Sequence, residues 1–348
     1  MSYLSPIIAV GVMLLLMMGM FAIAGRDPVT SLQAFVVSPV SNLYGVGEML
    51  LKASPLILIG IGLAVGFRAG VWNIGAEGQL VVGAIFGGAL ALHFSESVSP
   101  FLLPAMLVAG AMGGALWAAI PAFLRTRFNA SEILVSLMLN YVAQLWLSYL
   151  VFGPWRDPAG FNSPQSAPFS AAALFPVLLD GTRLNAAIFL LPVALLLGWM
   201  FLERSYAGFQ LRVIGLAEGA ARYAGFSTHR AVWISMLAGG AAAGIAGIGE
   251  IAGPLGQIFP TLSPGYGYAA IIVAFLGRLN ALGIVLAGLL MGLLYLSGDA
   301  AQLEFGLPAS ITALFQGALL FLLFTADVFI LYRLRLLAPV RANHELSQ

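Results

Sequence analysis

Ten apolar runs, most of them about 20 residues long, follow one another along this chain of 348 residues. A run of that length crosses the roughly 30 Å hydrocarbon core of a bilayer as an α-helix. Of the whole sequence, 61% is hydrophobic and only 8% is charged, which is more apolar surface than a soluble domain could bury. We therefore expect a single all-α, polytopic transmembrane bundle over residues 1–348. The runs lie near 4–24, 43–66, 78–95, 100–124, 132–152, 186–202, 231–249, 266–277, 281–298 and 308–330.

Two of these runs need interpretation. The first resembles a signal peptide because it ends in Ala22–Gly25, but no Lys or Arg precedes it and it is long, so we expect an uncleaved helix. The run at 266–277 is too short to cross the bilayer at a rise of about 1.5 Å per residue. Either it begins earlier, near Phe259, or the eighth and ninth segments form a broken, re-entrant pair around 278–280. Broken helices at membrane depth usually border a polar cavity.

The basic residues predict the orientation of the bundle. Ten spans place both termini on one side, and cytoplasmic segments attract Lys and Arg. With both termini cytoplasmic, eleven of the 15 basic residues fall inside: Arg68, Arg125, Arg127, Arg204, Arg212, Arg222, Arg230, Arg278, Arg333, Arg335 and Arg341. Arg26, Arg156 and Arg183 remain outside, with Lys52 near the outer end of the second span.

Two connections are longer than the others. The outer one, 153–185, is rich in Pro, Ser and Ala and is expected to form an irregular external cap. The inner one, 203–230, carries four arginines, which favours a docking surface over a solvated linker. Within it, Glu218 and Arg222 lie one turn apart and support a short helix that Gly225 can end. With Tyr223 as an aromatic anchor and Arg212 nearby, this helix suits a groove on a soluble partner.

Several kinds of chemistry are not expected from this sequence. It has no cysteine and three widely separated histidines, so disulfides, thiolate chemistry and a metal site are not predicted. Its one lysine, Lys52, is followed by alanine, so a Walker A loop cannot form. We expect no catalytic residue, no cofactor and no nucleic-acid partner.

The segment 73–79 places a carboxylate, two amides and two glycines at the start of an apolar run. An ionisable group at bilayer depth costs about 2.5–3.5 kcal/mol, so it persists mainly where it faces a polar pathway or a partner. Asn73 and Glu77 are one turn apart if the segment is helical, and with Gln79 they predict a cytoplasmic gate or exit site. Alternatively, Glu77 caps a helix start and accepts backbone N–H bonds.

The fifth span carries Ser136, Asn140, Gln144 and Ser148 at intervals of four residues, mostly on one helix face. Neutral amides suit a neutral polyhydroxylated or nucleobase-bearing solute, so the stripe is a candidate pathway. The alternative is interhelical hydrogen bonding, worth about 0.6 kcal/mol per group. Glu250, at the outer end of the seventh span, is either an external gate or the solvated edge of a loop.

Four motifs resemble the permease subunits of ABC importers, in the branch that includes branched-chain amino acid, ribose-type sugar and nucleoside permeases. They are FRAGVWNIGAEGQL (67–80), SLMLNYVA (136–143), GAARYAGF (219–226) and AFLGRLNALG (274–283). The chain is most similar to the nucleoside and simple-sugar group. It departs from the pattern at Ala217 and Glu218, where relatives often carry Asn-Pro, which affects the local cap of the coupling helix.

The resemblance implies that residues 203–230 hold the coupling helix, which contacts a separate ATPase. It also implies a second permease copy or homologue, two ATP-binding subunits and an external solute-binding protein, all at the bacterial inner membrane. The competing hypothesis is a stand-alone ion-coupled transporter, which needs a titratable centre near mid-membrane. The carboxylates of this chain lie near span ends. An intramembrane enzyme would need a nucleophile elbow, paired aspartates or metal spacing, and the sequence has none of these.

Overall fold

The computed structural model describes residues 4–23, 25–161, 163–305, 308 and 310–331. Within these residues the chain forms thirteen α-helices and no β-strand. They are α1 (Leu4–Ile23), α2 (Pro28–Val36), α3 (Leu43–Arg68), α4 (Ala76–His93), α5 (Leu102–Phe128), α6 (Glu132–Phe152), α7 (Leu190–Trp199), α8 (Tyr206–Leu216), α9 (Glu218–Tyr223), α10 (Thr228–Glu250), α11 (Tyr266–Leu276), α12 (Ala281–Phe305) and α13 (Ser310–Leu331).

Each of the ten expected runs coincides with a helix, which confirms the helical bundle. Among the described residues, eight helical segments are long and apolar enough to cross a membrane, and the shorter apolar helices are Pro28–Val40, Tyr266–Leu276 and Ala313–Ala326. Helix α2 was not predicted; Asp27 caps it by accepting a hydrogen bond from the backbone N–H of Thr30 (2.7 Å). Arg333, Arg335 and Arg341 lie outside the described residues.

The eighth run takes the broken form. Residues 256–265 are not helical, so the alternative start near Phe259 is wrong, and α11 begins only at Tyr266. Between α11 and α12 the chain reverses over four residues, with Arg278 and Leu279 both in the left-handed region (φ 57° and 53°). Both helices therefore meet at one end of the bundle. We call this the basic end, because it also holds the 203–230 segment; the 153–185 connection lies at the opposite end.

The small residues at 239–249 form a close-packing face where α10 contacts α5. A Cβ added to Gly244 would lie 2.0 Å from the carbonyl oxygen of Gly110, and one added to Gly114 would lie 2.1 Å from that of Gly240. The two backbones touch without side chains between them. This contact fixes the centre of the bundle, against which α3 and α4 also pack.

Replacement of Gly244 by alanine is expected to destabilise the fold by about 1–3 kcal/mol, the usual cost of overpacking. The methyl group would meet backbone, which cannot move aside cheaply. Gly249 on the same helix is the matched control, because nothing lies within 4 Å of its added Cβ. Gly249→Ala should leave the melting temperature unchanged or raise it slightly, because alanine is the better helix former. Thermal unfolding in detergent measures both, and equal melting temperatures for the two variants would refute the close contact.

Candidate transport site

The chain enters α4 through a non-helical segment, 69–75, in which Val71, Asn73 and Gly75 are buried. Side chains of α6 supply its backbone partners. Ser136 Oγ accepts from the N–H of Ile74 (3.2 Å), and Asn140 Nδ2 donates to the carbonyl of Ile74 (2.9 Å). Asn140 Oδ1 also accepts from the N–H of Gly78 (2.8 Å). Irregular backbone at membrane depth needs such partners because no water is available there. These two stripe residues therefore support the broken entry of α4.

Asn73 of this segment and Gln79 in the first turn of α4 form a closed amide pair. Asn73 Nδ2 donates to Gln79 Oε1 (2.8 Å), and Gln79 Nε2 donates to Asn73 Oδ1 (2.9 Å). Each residue is 1% exposed. Because Asn73 precedes the first residue of α4, the expected one-turn spacing to Glu77 is wrong. A pathway role for Asn73 and Gln79 stays a prediction, and their observed contacts hold the segment together.

Glu77 lies where two helices begin. It belongs to the first turn of α4, and its Oε2 accepts a hydrogen bond from the N–H of Gly267 (2.7 Å) in the first turn of α11. Ser263 Oγ accepts from the neighbouring N–H groups of Gly265 and Tyr266 (3.2 and 3.1 Å). A carboxylate is stabilised at helix N-termini by the unpaired N–H groups and the helix dipole. Glu77 therefore accepts a backbone N–H bond, as the capping interpretation predicted, but the donor belongs to α11 and not to its own helix α4.

The rest of the α6 stripe also makes hydrogen bonds. Gln144 donates to the carbonyl of Pro260 in the irregular segment before α11, and Ser148 donates to the carbonyl of Gln144 in its own helix (2.9 Å). Asn140 additionally donates to the hydroxyl of Tyr268 (3.0 Å). Tyr268 was not identified from the sequence, where only the shortness of the 266–277 run marked the region. It is 39% exposed and carries the polar cluster to the bundle surface.

Glu250 is 8% exposed, so the interpretation as a solvated loop edge is wrong. It borders a cavity of about 220 Å³ at the opposite end, together with Glu48, Lys52 and Arg183. Arg183 pairs with Glu48 through two hydrogen bonds, one from its Nε at 2.8 Å. This contact raises the pKa of the Arg183 guanidinium above its ordinary value, chiefly through hydrogen bonding to the carboxylate. Arg183 therefore stays charged beside the cavity.

The 203–230 segment contains the predicted short helix. Arg222 pairs with Glu218 one turn away (2.6 Å) within α9, Tyr223 is exposed, and Gly225 follows the helix in the left-handed region (φ 83°). Ahead of it, Arg212 on α8 pairs with Glu203 (2.8 Å). The exposed arginines and the tyrosine form a surface that no other described part of the chain covers.

Arg68, at the end of α3, connects this segment to the rest of the basic end. Its NH2 pairs with Glu203 (2.6 Å), and its Nε and NH2 donate to the carbonyl of Leu279 (3.0 and 2.7 Å). A Cβ on Gly215 of α8 would lie 2.0 Å from the carbonyl oxygen of Arg68. Helix α8 therefore contacts α3 directly and reaches the α11–α12 turn through Arg68. Sequence reasoning did not single out Arg68, although it lies in the motif 67–80.

A helical membrane bundle with broken helices around polar side chains, and an exposed basic helical segment at one end, has the architecture of a permease. The chain belongs to the family described as "Branched-chain amino acid transport system / permease component", whose model matches residues 45–324. It is a multi-pass permease subunit of an ABC-type importer, as the sequence motifs predicted.

Three named relatives are similar to this chain over most of their length. The glucose ABC transporter permease protein TsgB13 of Haloferax volcanii is 37% identical and covers 91% of this chain and 86% of its own length. The guanosine ABC transporter permease protein NupP of Bacillus subtilis is 33% identical, with 78% of each chain covered. The nucleoside ABC transporter permease protein NupB of Lactococcus lactis is 28% identical and covers 85% of this chain and 84% of its own. All three relatives are named as permease proteins of ABC transporters.

Proposed function

We propose that this chain forms the membrane passage for a neutral sugar or nucleoside, driven by separate ATP-binding subunits. We infer the solute class from the names of the relatives, which specify glucose, guanosine and nucleosides. The polar side chains nearest mid-membrane agree with it, because amides and hydroxyls suit a neutral solute. The protein lies in the bacterial inner membrane, its basic end faces the cytoplasm, and both termini are on that side. An external solute-binding protein delivers solute to the opposite end.

The proposed position of the pathway is inferred from one residue of α6. Tyr141 lies halfway along α6, about 14 Å from its nearer end at 1.5 Å per residue. It is 60% exposed on the bundle surface. A hydroxyl directed at hydrocarbon would lack a hydrogen-bond partner, and tyrosine is ordinarily enriched at membrane interfaces, not at mid-depth. The α6 face that holds Tyr141 therefore borders a polar route.

This route has one wall in the described chain. Tyr268 is 39% exposed and accepts a hydrogen bond from Asn140, which precedes Tyr141 on α6, and Gln144 follows Asn140 one turn along the helix. Leu145 and other exposed apolar residues flank them. A second permease subunit, identical or homologous, supplies the opposite wall. The solute passes between the two subunits along α6 and α11.

Force reaches this wall from the basic end. ATP-driven closure of the motor moves the 203–230 coupling segment, and the chain of contacts Arg212–Glu203–Arg68 transmits the movement to the carbonyl of Leu279. Leu279 lies in the turn that ends α11, and α11 carries Tyr268. A displaced α11 would also break or re-form its bond to Glu77. The contacts are contiguous from the coupling segment to α11, so a movement of α8 can reach α11 through them.

A cysteine at position 141 is expected to react with a membrane-impermeant thiol reagent, because water in the pathway reaches it and permits thiolate formation. The chain has no native cysteine, so a single substitution gives a clean signal. Leu196→Cys is the matched control: Leu196 is exposed near the middle of the span 186–204, on a face that we assign to lipid. Labelling of the assembled transporter, followed by mass spectrometry, should modify Tyr141→Cys at least tenfold faster and should slow with transported solute. Equal, slow labelling of both variants with and without ATP would contradict the proposed pathway.

A further inference from the structure

The cavity at the opposite end is bounded by α3, α10, α11, the 153–185 connection and the 251–265 segment. Glu48 and Lys52 come from the first turns of α3, Arg183 from the 153–185 connection, Glu250 from the end of α10, and Tyr266 from the start of α11. Leu51, Pro254, Leu255, Thr261, Leu262 and Pro264 complete the lining. Its volume of about 220 Å³ is below the roughly 300–1,000 Å³ of pockets that hold drug-sized ligands. The space suits a small polar molecule.

Glu250 is the unusual member of this lining. It is buried, yet among the described residues none donates a hydrogen bond to its carboxylate or forms an ion pair with it within 4 Å. The two cations of the lining are engaged elsewhere: Lys52 pairs with Asp299 (2.7 Å) and Arg183 pairs with Glu48. Buried polar groups are nearly always hydrogen-bonded, and a buried charge without a partner is costly. A carboxylate in this position is free to accept hydrogen bonds from a molecule in the cavity.

We propose that this cavity is a binding site for a single sugar ring, through which solute enters the permease at the opposite end; this rests on the proposed function. Sugar hydroxyls would donate to the Glu250 carboxylate and accept from the Thr261 and Tyr266 hydroxyls. Both cations of the lining already have a carboxylate partner, Lys52 with Asp299 and Arg183 with Glu48, so no unpaired cation is left to attract an anionic ligand. Leu51 and Leu262 offer apolar surface to the C–H groups of a ring. The volume favours one ring over a purine nucleoside.

Binding to the assembled transporter tests this site. The complex is placed in lipid nanodiscs without nucleotide and without the solute-binding protein, and D-ribose, D-glucose and guanosine are titrated by calorimetry. We expect saturable binding of at least one sugar and weaker binding of guanosine. Glu250→Gln should weaken sugar binding about tenfold or more, because one acceptor oxygen is replaced by an amide group that only donates. Glu96→Gln is the matched control, since Glu96 is an exposed carboxylate in the turn after α4 at the same end, and it should bind as the wild type does.

A second measurement separates a binding role from a structural one. Glu250→Gln removes a buried carboxyl group that has no partner among the described residues, so the melting temperature should stay equal or rise. The proposal is overturned if no sugar saturates the wild type, if Glu250→Gln binds as the wild type does, or if the variant loses its fold. ATP-driven uptake by the same complex is recorded separately. Uptake without binding at this cavity would overturn the site and leave the proposed function standing. Binding without uptake would support the site and overturn the proposed function.

Discussion

Arg222→Glu is expected to abolish solute-stimulated ATP hydrolysis by the assembled transporter while the permease still folds and inserts. Arg222 is exposed, and its one described partner is Glu218 on the same short helix. Loss of such an i,i+4 surface pair costs only about 0.3–0.5 kcal/mol, so the fold should survive. The substitution also places two carboxylates one turn apart on the surface that we assign to the ATPase contact. Hydrolysis with and without solute-loaded binding protein measures the effect, which should exceed tenfold.

Two further variants test whether the loss of ATP hydrolysis comes from the ATPase contact or from a less stable α9. Arg127→Glu reverses an exposed charge at the basic end outside the coupling segment, and it should keep most of the stimulated activity. The exchange Glu218→Arg with Arg222→Glu restores the pair within α9 but inverts its direction. If the ATPase contacts an arginine at position 222 specifically, the exchanged protein stays inactive. Recovery of activity would show that only helix stability matters, and unchanged uptake in Arg222→Glu itself would count against the coupling role of this segment.

The helices and their order could be predicted because bilayer thickness imposes a local rule on the sequence. Apolar runs of sufficient length mark the spans, and Gly244 with its neighbours marks a face where helices touch. Helix α9 was predictable for a similar reason, since the Glu218–Arg222 pair and Gly225 all lie within one short stretch. Each of these signals is contained in a few consecutive residues.

The candidate site could not be predicted in the same way because its contacts join distant residues. Glu77 bonds to Gly267, 190 positions away, and Arg68 bonds to Leu279, 211 positions away. The spacing of Asn73 and Glu77 assumed a helix, but the backbone there is irregular and is held by Asn140 of another helix. Glu250 is buried by the neighbouring segments that line its cavity. Sequence spacing identified the polar residues, but their partners depend on how the broken helices fold against α6.

Asn140→Leu is expected to destabilise the folded permease by about 2–6 kcal/mol, the largest effect on stability among the polar residues of the site. The substitution leaves the carbonyl of Ile74 and the N–H of Gly78 without their described side-chain partner. Each unsatisfied buried group costs about 1–3 kcal/mol. That loss is a large share of the roughly 5–15 kcal/mol that stabilises a typical fold. Thermal unfolding and the yield of monodisperse protein after solubilisation measure it.

Two milder variants decide whether the α6 stripe serves the fold alone or also contacts solute. Ser148→Ala removes a bond that stays within α6, so stability and transport should both be unchanged. Tyr268→Phe removes only the hydroxyl that accepts from Asn140 and leaves the bonds of Asn140 to Ile74 and Gly78 in place. If the cluster borders the pathway, Tyr268→Phe raises the KM for uptake several-fold at nearly constant melting temperature. A shift in melting temperature without any change in KM would assign the whole stripe to interhelical hydrogen bonding. A hydroxyl that only stabilises the fold does not contact the solute, so its removal leaves KM unchanged.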